Sequence, residues 1–557
     1  MTFGGAQTGR MALVATALML LALPGSAEGL SSRGLSNSLP GATDPNAAAP
    51  RLTVQSPRRS PVPRAADELV FEVKDIVISG ATVYDAATLR SLGAPLLGHK
   101  ARLSDLLDLA EKIEARYHDD GYLLTRALVP TQSVSDGTFQ ITVQEGYIAA
   151  LVIDGKDEGL RERIEAILAK VLASRPLQLS VLESALLRAN EIPGAHVAGL
   201  LRPSETEVKA SELVINVDAP TTAASLTIDN RGSENTGVWT IGANLAVRTG
   251  LKDGGQIILG AAATPDAQKR RVIQGKYIAE VGPSGAVVSL GAMASHGEPA
   301  GTIKALDIVS NSTSFGPRLS YPIYVDRSQR LGLETGITFQ SADLQTLGAP
   351  LSHDNWRVGD IAITYLNKDV LKGSLDASVI LSKGFTLVAA TRKENPSQAR
   401  ANSDPAFTKL SGSVRRVQNL YGPVSVALTA QGQHGWSRLL TGEEISFGGG
   451  GIGRGYDPAA LTGDDGYGLS SELRIDWDET GLFTDWMQAY LFQDTARAFS
   501  RDGGGHTWLN SAGLGLRTRM GPLASLGLEL ARTLTPLPGS DKGRRSTRVL
   551  VNGAVRY

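Results

Sequence analysis

From about Ala223 to Tyr557 the chain is a succession of segments, each roughly ten residues long, in which apolar and polar positions alternate between Gly, Asp, Asn and Pro turns. Alternation with a period of two sends successive side chains to opposite faces of a strand. Val424, Val426, Leu428 and Ala430 form one such row, and Leu526, Leu528 and Leu530 another. No later stretch matches the N-terminal apolar run, and none approaches the ~20 apolar residues that a spanning helix needs. A bilayer admits only helices and closed barrels, because every backbone N–H and C=O must be paired within the protein. Any membrane crossing therefore uses strands. About 335 residues, at roughly 20 per strand and connection, allow around sixteen of them. The last segment alternates Val549, Val551, Gly553, Val555 and Tyr557, which places the C-terminal aromatic in the outward, lipid-facing row. A barrel of that circumference has a lumen wide enough for water, so something must close it.

The rest of a 557-residue chain must hold further folding units. The absence of Cys removes disulfides and thiolate metal sites, and suits a chain that crosses an oxidising compartment. A formal net charge of −1 gives no basic footprint, so nucleic acid is set aside as a partner. At the N-terminus Arg10, the apolar run Met11 to Leu23 and the small residues of Pro24-Gly25-Ser26-Ala27 read as a cleaved secretory signal, residues 1–27, rather than a short membrane anchor. Residues 28–68, rich in Ser, Pro, Ala and Arg, read as a disordered linker. Leu30, Leu35 and Leu39 could mark a weak plug helix there, against which Gly29 and Gly34 argue.

Two units of the plan β-α-α-β-β follow, at 69–146 and 147–219. The first opens with a strand carrying Phe71, Val73, Ile76 and Ile78. The region of Ala86 to Leu92 is its least regular helix, and Leu103, Leu106, Leu107, Ala110, Ile113 and Tyr117 share a face of the next, which Ser104 would cap. Strands are expected over Tyr122 to Val129 and Thr138 to Val143. The second unit repeats the order: Ile148, Leu151 and Ile153 in a strand, then Leu160, Ile164, Ile167, Leu168 and Val171 on a helix face. Ser180 and Glu183 then form a capping box, and His196 to Leu201 and Glu212 to Val217 close the unit.

This plan resembles the polypeptide-transport-associated (POTRA) domains that precede outer-membrane assembly and secretion barrels. Gly121-Tyr122, Pro130-Thr131-Gln132, Asp136-Gly137 and Glu145-Gly146 resemble the ordered motif series of the first such domain in two-partner secretion transporters. Asn190-Glu191-Ile192-Pro193-Gly194 resembles that family's N-D-L-P-G turn. The marked positions are thus Tyr122, Pro130, Gln132, Gly137, Gly146, Pro193 and Gly194. The resemblance implies a mostly β chain, a barrel of about sixteen strands over 220–557 behind two small α+β domains. It also implies an outer-membrane location with the small domains in the periplasm.

Within the barrel half one segment stands apart, Phe447-Gly448-Gly449-Gly450-Gly451-Ile452-Gly453-Arg454-Gly455-Tyr456-Asp457. It formally contains G-x-G-x-x-G, but no β-α-β unit surrounds it as a dinucleotide site requires. A flexible extracellular loop is the plain alternative. The segment resembles the R-G-F/Y loop motif of the two-partner transporters and the wider barrel-assembly superfamily, in which the loop folds into the lumen. There its Arg meets the Asp of an F-x-D strand motif, matched here by Phe492-Gln493-Asp494. By that resemblance Gly453, Arg454, Gly455 and Tyr456 form the lumen loop, and Phe492 and Asp494 its strand partner. Tyr490, Phe492 and Asp494 share a strand face, and a guanidinium in a partly dehydrated lumen needs a carboxylate. Two positions depart from the family pattern: Gly453 stands for the usual Val, and Ala496 for a Gly that often follows F-x-D.

The implied function is export, and possible activation, of a large partner exoprotein such as a haemolysin or adhesin, unfolded in transit, by two-partner secretion. Its other partners would be outer-membrane lipid and, during biogenesis, the barrel-assembly machinery. An insertase for other barrels or a passive porin compete. An enzyme does not fit: the seven His show no paired ligand spacing, and neither a metal nor a cofactor is called for. Glu443-Glu444 and Asp464-Asp465 are expected to be solvated loop carboxylates.

Overall fold

The computed structural model describes Leu52–Val54 and residues 68–557, apart from 133–135, 156–157, 208, 234, 251–253, 267–268, 283, 299–304, 388, 394, 479–483, 503–505 and 537–545. The expected signal segment, and with it the possible plug helix, lies outside the described residues. Two compact units emerge, one over Ala48–Ala219 and the other built from Pro220–Tyr324 and Ser328–Tyr557. No described helix is long and apolar enough to cross a membrane.

In the first unit, strand β1 (Leu52–Val54) lies within the stretch read as linker. The first small domain holds β2 (Val70–Glu72), β3 (Asp75–Ser79), helix α1 (Ala86–Ser91), β4 (Lys100–Arg102), α2 (Leu103–Asp119), β5 (Arg126–Leu128) and β6 (Thr138–Gln144). The second holds β7 (Tyr147–Asp154), α3 (Glu158–Ala173), α4 (Leu179–Ala189), β8 (His196–Pro203) and β9 (Ala210–Asp218). The sheets run β3-β6-β5 and β1-β8-β9-β7, with β2 and β4 as a separate ribbon. β1 adds to β8 in parallel, Leu52 opposite Gly199, so three residues of the linker are ordered as a strand.

Each small domain closes over one apolar core, of which Ile76, Leu106, Ile113, Tyr117 and Ile141 are fully buried in the first, and Ile148, Leu160, Ile164, Leu168 and Ile215 in the second. Each such side chain contributes roughly 1.5–3 kcal/mol relative to exposure. Three local expectations are corrected. Helix α2 starts at Leu103, one residue before the expected cap Ser104, and the Asp105 carboxylate accepts from Arg102 N at 2.7 Å. Helix α4 starts at Leu179, so Ser180 and Glu183 lie inside it rather than forming a capping box; its first N–H donates to the Gly121 carbonyl at 2.8 Å. In both helices the first N–H already has a backbone acceptor, Leu69 O for Leu103 and Gly121 O for Leu179. The strand expected over Tyr122 to Val129 shrinks to β5, because Tyr122 N donates back to Tyr117 O and Thr125 N to Tyr122 O, which makes a turn of its first half.

The second unit is a closed barrel of sixteen antiparallel strands. The first eight are β10 (Thr222–Asp229), β11 (Thr240–Arg248), β12 (Gln256–Ala263), β13 (Arg270–Val281), β14 (Ala286–Gly297), β15 (Ile308–Val325), β16 (Gln329–Thr346) and β17 (Ala349–Lys368). Then come β18 (Gly373–Phe385), β19 (Thr408–Tyr421), β20 (Val424–Gly435), β23 (Asp465–Asp478), β24 (Trp486–Phe499), β25 (His506–Met520), β26 (Ala524–Thr533) and β27 (Thr547–Arg556). A short ribbon of β21 (Ile445–Phe447) and β22 (Leu461–Gly463) belongs to the loop between β20 and β23. β10 pairs with β27, so the sheet has no edge, and Ala224 and Tyr557 exchange backbone hydrogen bonds at 2.8 and 2.9 Å. Leu226, Ile241, Leu259, Ile273, Leu290 and Val549 face outward as an exposed apolar band, and Val555 and Tyr557 continue it.

A loop pinned to the inner wall of the barrel

The F-x-D strand β24 turns Tyr490, Phe492 and Asp494 into the barrel, all three buried. Between β21 and β22 the glycine run does not lead into a helix; it folds on itself, Gly448 N donating to Ile452 O at 2.8 Å and Tyr456 N to Gly453 O at 2.9 Å. Arg454 is thereby aimed at β24. Its Nε reaches Asp494 Oδ2 at 3.0 Å and its Nη2 reaches Oδ1 at 2.8 Å, a bidentate pair. The backbone N–H groups of Gly453 and Arg454 also donate to Oδ2. Arg454 is 3% exposed and Asp494 0%, so water contributes little to either.

Arg454 has two further partners. Nη1 donates to Glu472 Oε1 at 2.6 Å, and Nη2 to Ser470 Oγ at 3.0 Å. The guanidinium also lies 3.6 Å from the centre of the Phe492 ring, a cation–π contact worth about 2 kcal/mol when desolvated. Glu472 is shared with Arg474, through Nε at 2.9 Å, and with Arg517 at 3.2 Å. The inner wall thus holds a continuous charged network in which each of these buried charges has an opposite neighbour. Glu472 and Ser470 follow Asp494 in register on adjacent β23, where Ser470 stands opposite Asp494 and Glu472 opposite Phe492.

The other loop positions complete the seat. Gly453 has φ +100, and a Cβ there would lie 2.9 Å from Leu509 Cδ1, so the Val common at this position would be strained here. Gly455 passes directly over Ser511, whose Cβ would lie 2.9 Å from an added Cβ. Tyr456 donates its hydroxyl to Asn510 O at 2.7 Å. Ala496 packs its methyl among Phe447, Ile452, Tyr456 and Leu509 under the loop.

A second ionic cluster holds the base of this loop. Arg400, in the connection between β18 and β19, bonds both oxygens of Asp464 at 2.7 and 2.8 Å, and Asp502 Oδ1 at 2.8 Å. Glu444 stands 3.0 Å from Arg400. Asp464 is wholly buried, and Glu443 accepts from Trp356 Nε1 at 2.7 Å and pairs with Lys409 at 2.9 Å. The expectation of solvated carboxylates at these positions is therefore overturned for Glu443, Glu444 and Asp464. Burial pushes the Glu444 carboxyl up to about 7; Arg400 opposes this, while Asp464 and Asp502 add to it. The sequence carried no local sign of Arg400, because its carboxylate lies 64 residues away.

In the small domains the motif positions act on main-chain pairing. Pro130 has no N–H to continue β5, and the Gln132 side chain takes over: its Nε2 donates to Gln140 O at 3.0 Å, and its Oε1 accepts from Gln140 N at 2.7 Å. Tyr122 packs edge-on to Tyr117. The Gly137 carbonyl accepts from Lys74 N, and that of Gly146 from Leu177 N. Pro193 and Gly194 turn the chain between α4 and β8, where the Asn190 amide donates to Leu186 O and Val197 O and accepts from Val197 N.

A closed barrel whose inner wall holds a folded-in loop, on one chain with two small domains bearing these motifs, is the build of an outer-membrane polypeptide transporter. The family described as Haemolysin secretion/activation protein ShlB/FhaC/HecB matches residues 210–518, more than half of the chain, and the ShlB-type POTRA domain matches residues 71–146. The chain belongs to this family, the outer-membrane transporters of two-partner secretion, with POTRA domains in the periplasm. It is similar to the heme/hemopexin transporter protein HuxB of Haemophilus influenzae strain 86-028NP, 24% identical over 68% of this chain and 67% of that one. It is also similar to the hemolysin transporter protein HpmB of Proteus mirabilis, 24% identical over 74% of each chain. Among solved structures, CdiB from Escherichia coli has the same fold, with a TM-score of 0.66 at 19% identity and all of both chains covered.

Proposed function

We propose that this transporter exports one large partner exoprotein, of the haemolysin or adhesin kind, and that it does so without acting as an enzyme. Residues 69–146 and 147–219 are the capture domains, residues 220–557 the conduit, and residues 1–27 a signal removed before assembly. An incoming unfolded segment can extend a sheet edge of a small domain through main-chain hydrogen bonds, which demand little of its sequence. Folding outside the cell then biases the chain against return, with no nucleotide needed. Lipid covers the outward apolar band, and the barrel-assembly machinery reads the strand ending in Tyr557. Nucleic acid, metal and cofactor have no part.

The observation that carries this reading is the Arg454 network with Asp494, Glu472 and Ser470 on a chain that also carries two small domains, which a passive porin would not need. Proteins at the surface and in the medium of cells with and without the transporter are to be compared. One large protein should vanish from both when the transporter is absent, and also when residues 69–146 are deleted while the barrel still migrates as a heat-modifiable outer-membrane protein. Loss of many resident barrels instead would identify an insertase; loss of none would return the chain to the porin reading.

A further inference from the structure

The inner wall opposite the loop seat has a contrasting pattern that emerges only when the strands are set in register. Across β10 to β15 the directly opposed residues Ser225, Asn244, Gly260, Gln274, Met293 and Ser314 make one rung around the inside. The next rung toward the cell surface, from Thr227 to Ser312, likewise carries no charge. Most of both rungs lines a cavity of about 490 Å³. Charges reach that cavity at its outer rim, from Asp229, Arg231, Lys269 and Arg270, and from Asp343 and Asp354 on β16 and β17. On its other side the pinned loop presents Gly442, Gly448 and Gly450, while Arg454 is turned to β24.

We propose that these two neutral rungs form a track that the exported polypeptide crosses as it slides outward, between the wall of β10 to β15 and the glycine face of the loop, with the Arg454–Asp494 pair still closed. A moving chain presents Lys, Arg, Asp and Glu in turn. A fixed charge in a confined lumen would hold each opposite charge and repel each like one. Hydroxyls, carboxamides and glycines exchange hydrogen bonds with any main chain at nearly equal strength, so no register of the passenger is favoured. Hydroxyls of the wall can meanwhile pair with one another, as Ser295 Oγ and Ser312 Oγ do at 2.6 Å, and need no permanent partner from the passenger. On the seat wall Glu472, Arg474 and Tyr490 are already committed to the loop or to a neighbouring charge. This inference rests on the reading of the barrel as a polypeptide conduit.

The chain contains no Cys, so a single introduced thiol is unique. Asn244→Cys and Ser312→Cys place it on the track, and Ser511→Cys places it beneath Gly455, where it is reachable only if the loop lifts. The full-length variants are reconstituted in lipid vesicles after a check of heat-modifiable migration. They are then exposed to an unstructured Gly-Ser-Asn repeat peptide, long enough to span the barrel and carrying one bromoacetyl group. The thiolate displaces bromide and leaves a thioether that retards migration. Severalfold greater capture by Asn244→Cys and Ser312→Cys than by Ser511→Cys is the expected result. Equal or greater capture by Ser511→Cys would overturn the track and show that the loop lifts, while leaving the conduit reading intact. No capture at any of the three positions would overturn the track and the conduit reading together.

Discussion

Two parts of one barrel's inner wall are built from opposite chemistry, although the row beside the neutral pair carries Lys276. On β23 to β26 the registered rows contain Glu472, Arg474, Asp494, Arg517 and Glu529, tied to aromatic rings and to the loop. On β10 to β15 two adjacent rows contain no charge at all. Both walls face the same lumen and are backed by the same apolar outer band, so neither folding nor insertion demands the difference. Charge networks fix geometry, because breaking them strands a partner; small neutral groups fix nothing. One wall holds a part in place, and the other lets a part go by.

The largest way to break this comparison is to remove the charge that joins loop to wall. Arg454→Ala leaves Asp494 wholly buried without its guanidinium, and losing one partner of a buried pair costs about 3–5 kcal/mol, against about 0–1 for an exposed pair. The expected outcome is a severe loss of secretion with little loss of folded barrel, and a loop newly open to protease. Asp494→Ala should behave alike, and the double variant should be little worse than either because the two act as one unit. Strictly additive defects would show that the loop is held by something else.

The converse experiment puts a charge on the neutral wall. Gln274→Lys sits in the middle of the first rung, where the side chain can extend into the lumen without leaving a partner buried. Barrel abundance should not change. Secretion should slow, since a passing carboxylate at 4 Å is held by about 1 kcal/mol in bulk water and by up to about 4 kcal/mol where wall and loop exclude it. Gln274→Asn, which keeps the carboxamide, should leave secretion as it was. Pulse-chase secretion kinetics of the three forms would decide, and equal rates for Lys and Gln would remove the reason for a neutral track.

How these walls could be read from the chain differs between them. The barrel was legible in its alternation and its outward C-terminal aromatic, because a period of two is a local property. The meeting of Arg454 and Asp494 was accessible because each sits in a short motif. Ser470 was not singled out and Glu472 was given no role in the site, since both join it only through the register of β23 on β24. The neutral rungs could not be read at all: Asn244, Gln274 and Ser314 are ordinary alone, and become a row only when six strands are aligned. Glu443 and Asp464 were expected in solvent because adjacent acids in a glycine-rich loop usually are; Lys409 on β19 and Arg400 in the connection before it reversed that. The caps expected at Ser104 and Ser180 failed for a related reason, as Asp105 and the Gly121 carbonyl already met those helix ends.

A pH titration separates the seat from the track, because the neutral rungs carry nothing that titrates. The Glu444 carboxyl, facing Arg400, Arg438, Asp464 and Asp502, is raised to about 7 mainly by burial, above its ordinary value. A raised carboxyl favours the folded cluster when protonated. That contribution is therefore fully present at acid pH, below its unfolded value, and is lost as pH rises through about 7. The ceiling is on the order of 3 kcal/mol, since each tenfold gain in proton affinity on folding is worth roughly 1.4 kcal/mol. Amide exchange in residues 436–464 should quicken between pH 6 and pH 8 beyond the intrinsic rise in proportion to hydroxide, and Glu444→Gln should remove that excess. Persistence of the excess in Glu444→Gln would assign the step to another group.

The smallest test exchanges like for like on the two walls. Phe492→Leu keeps an apolar side chain on β24 but removes the ring beneath the Arg454 guanidinium, a contact 3.6 Å from the ring centre. The ion pair with Asp494 remains, so the expected cost is about 1–2 kcal/mol, from the lost cation–π attraction and the space left by the ring. Met293→Leu on the neutral wall changes a half-buried side chain of similar volume that takes part in no ion pair, and such swaps usually cost less than about 1.5 kcal/mol. Loop protection against protease should therefore fall measurably for Phe492→Leu and stay at the wild-type level for Met293→Leu, with secretion following the same order. If both substitutions loosened the loop equally, the loop would be leaning on both walls, and the division between a holding face and a sliding face would not survive.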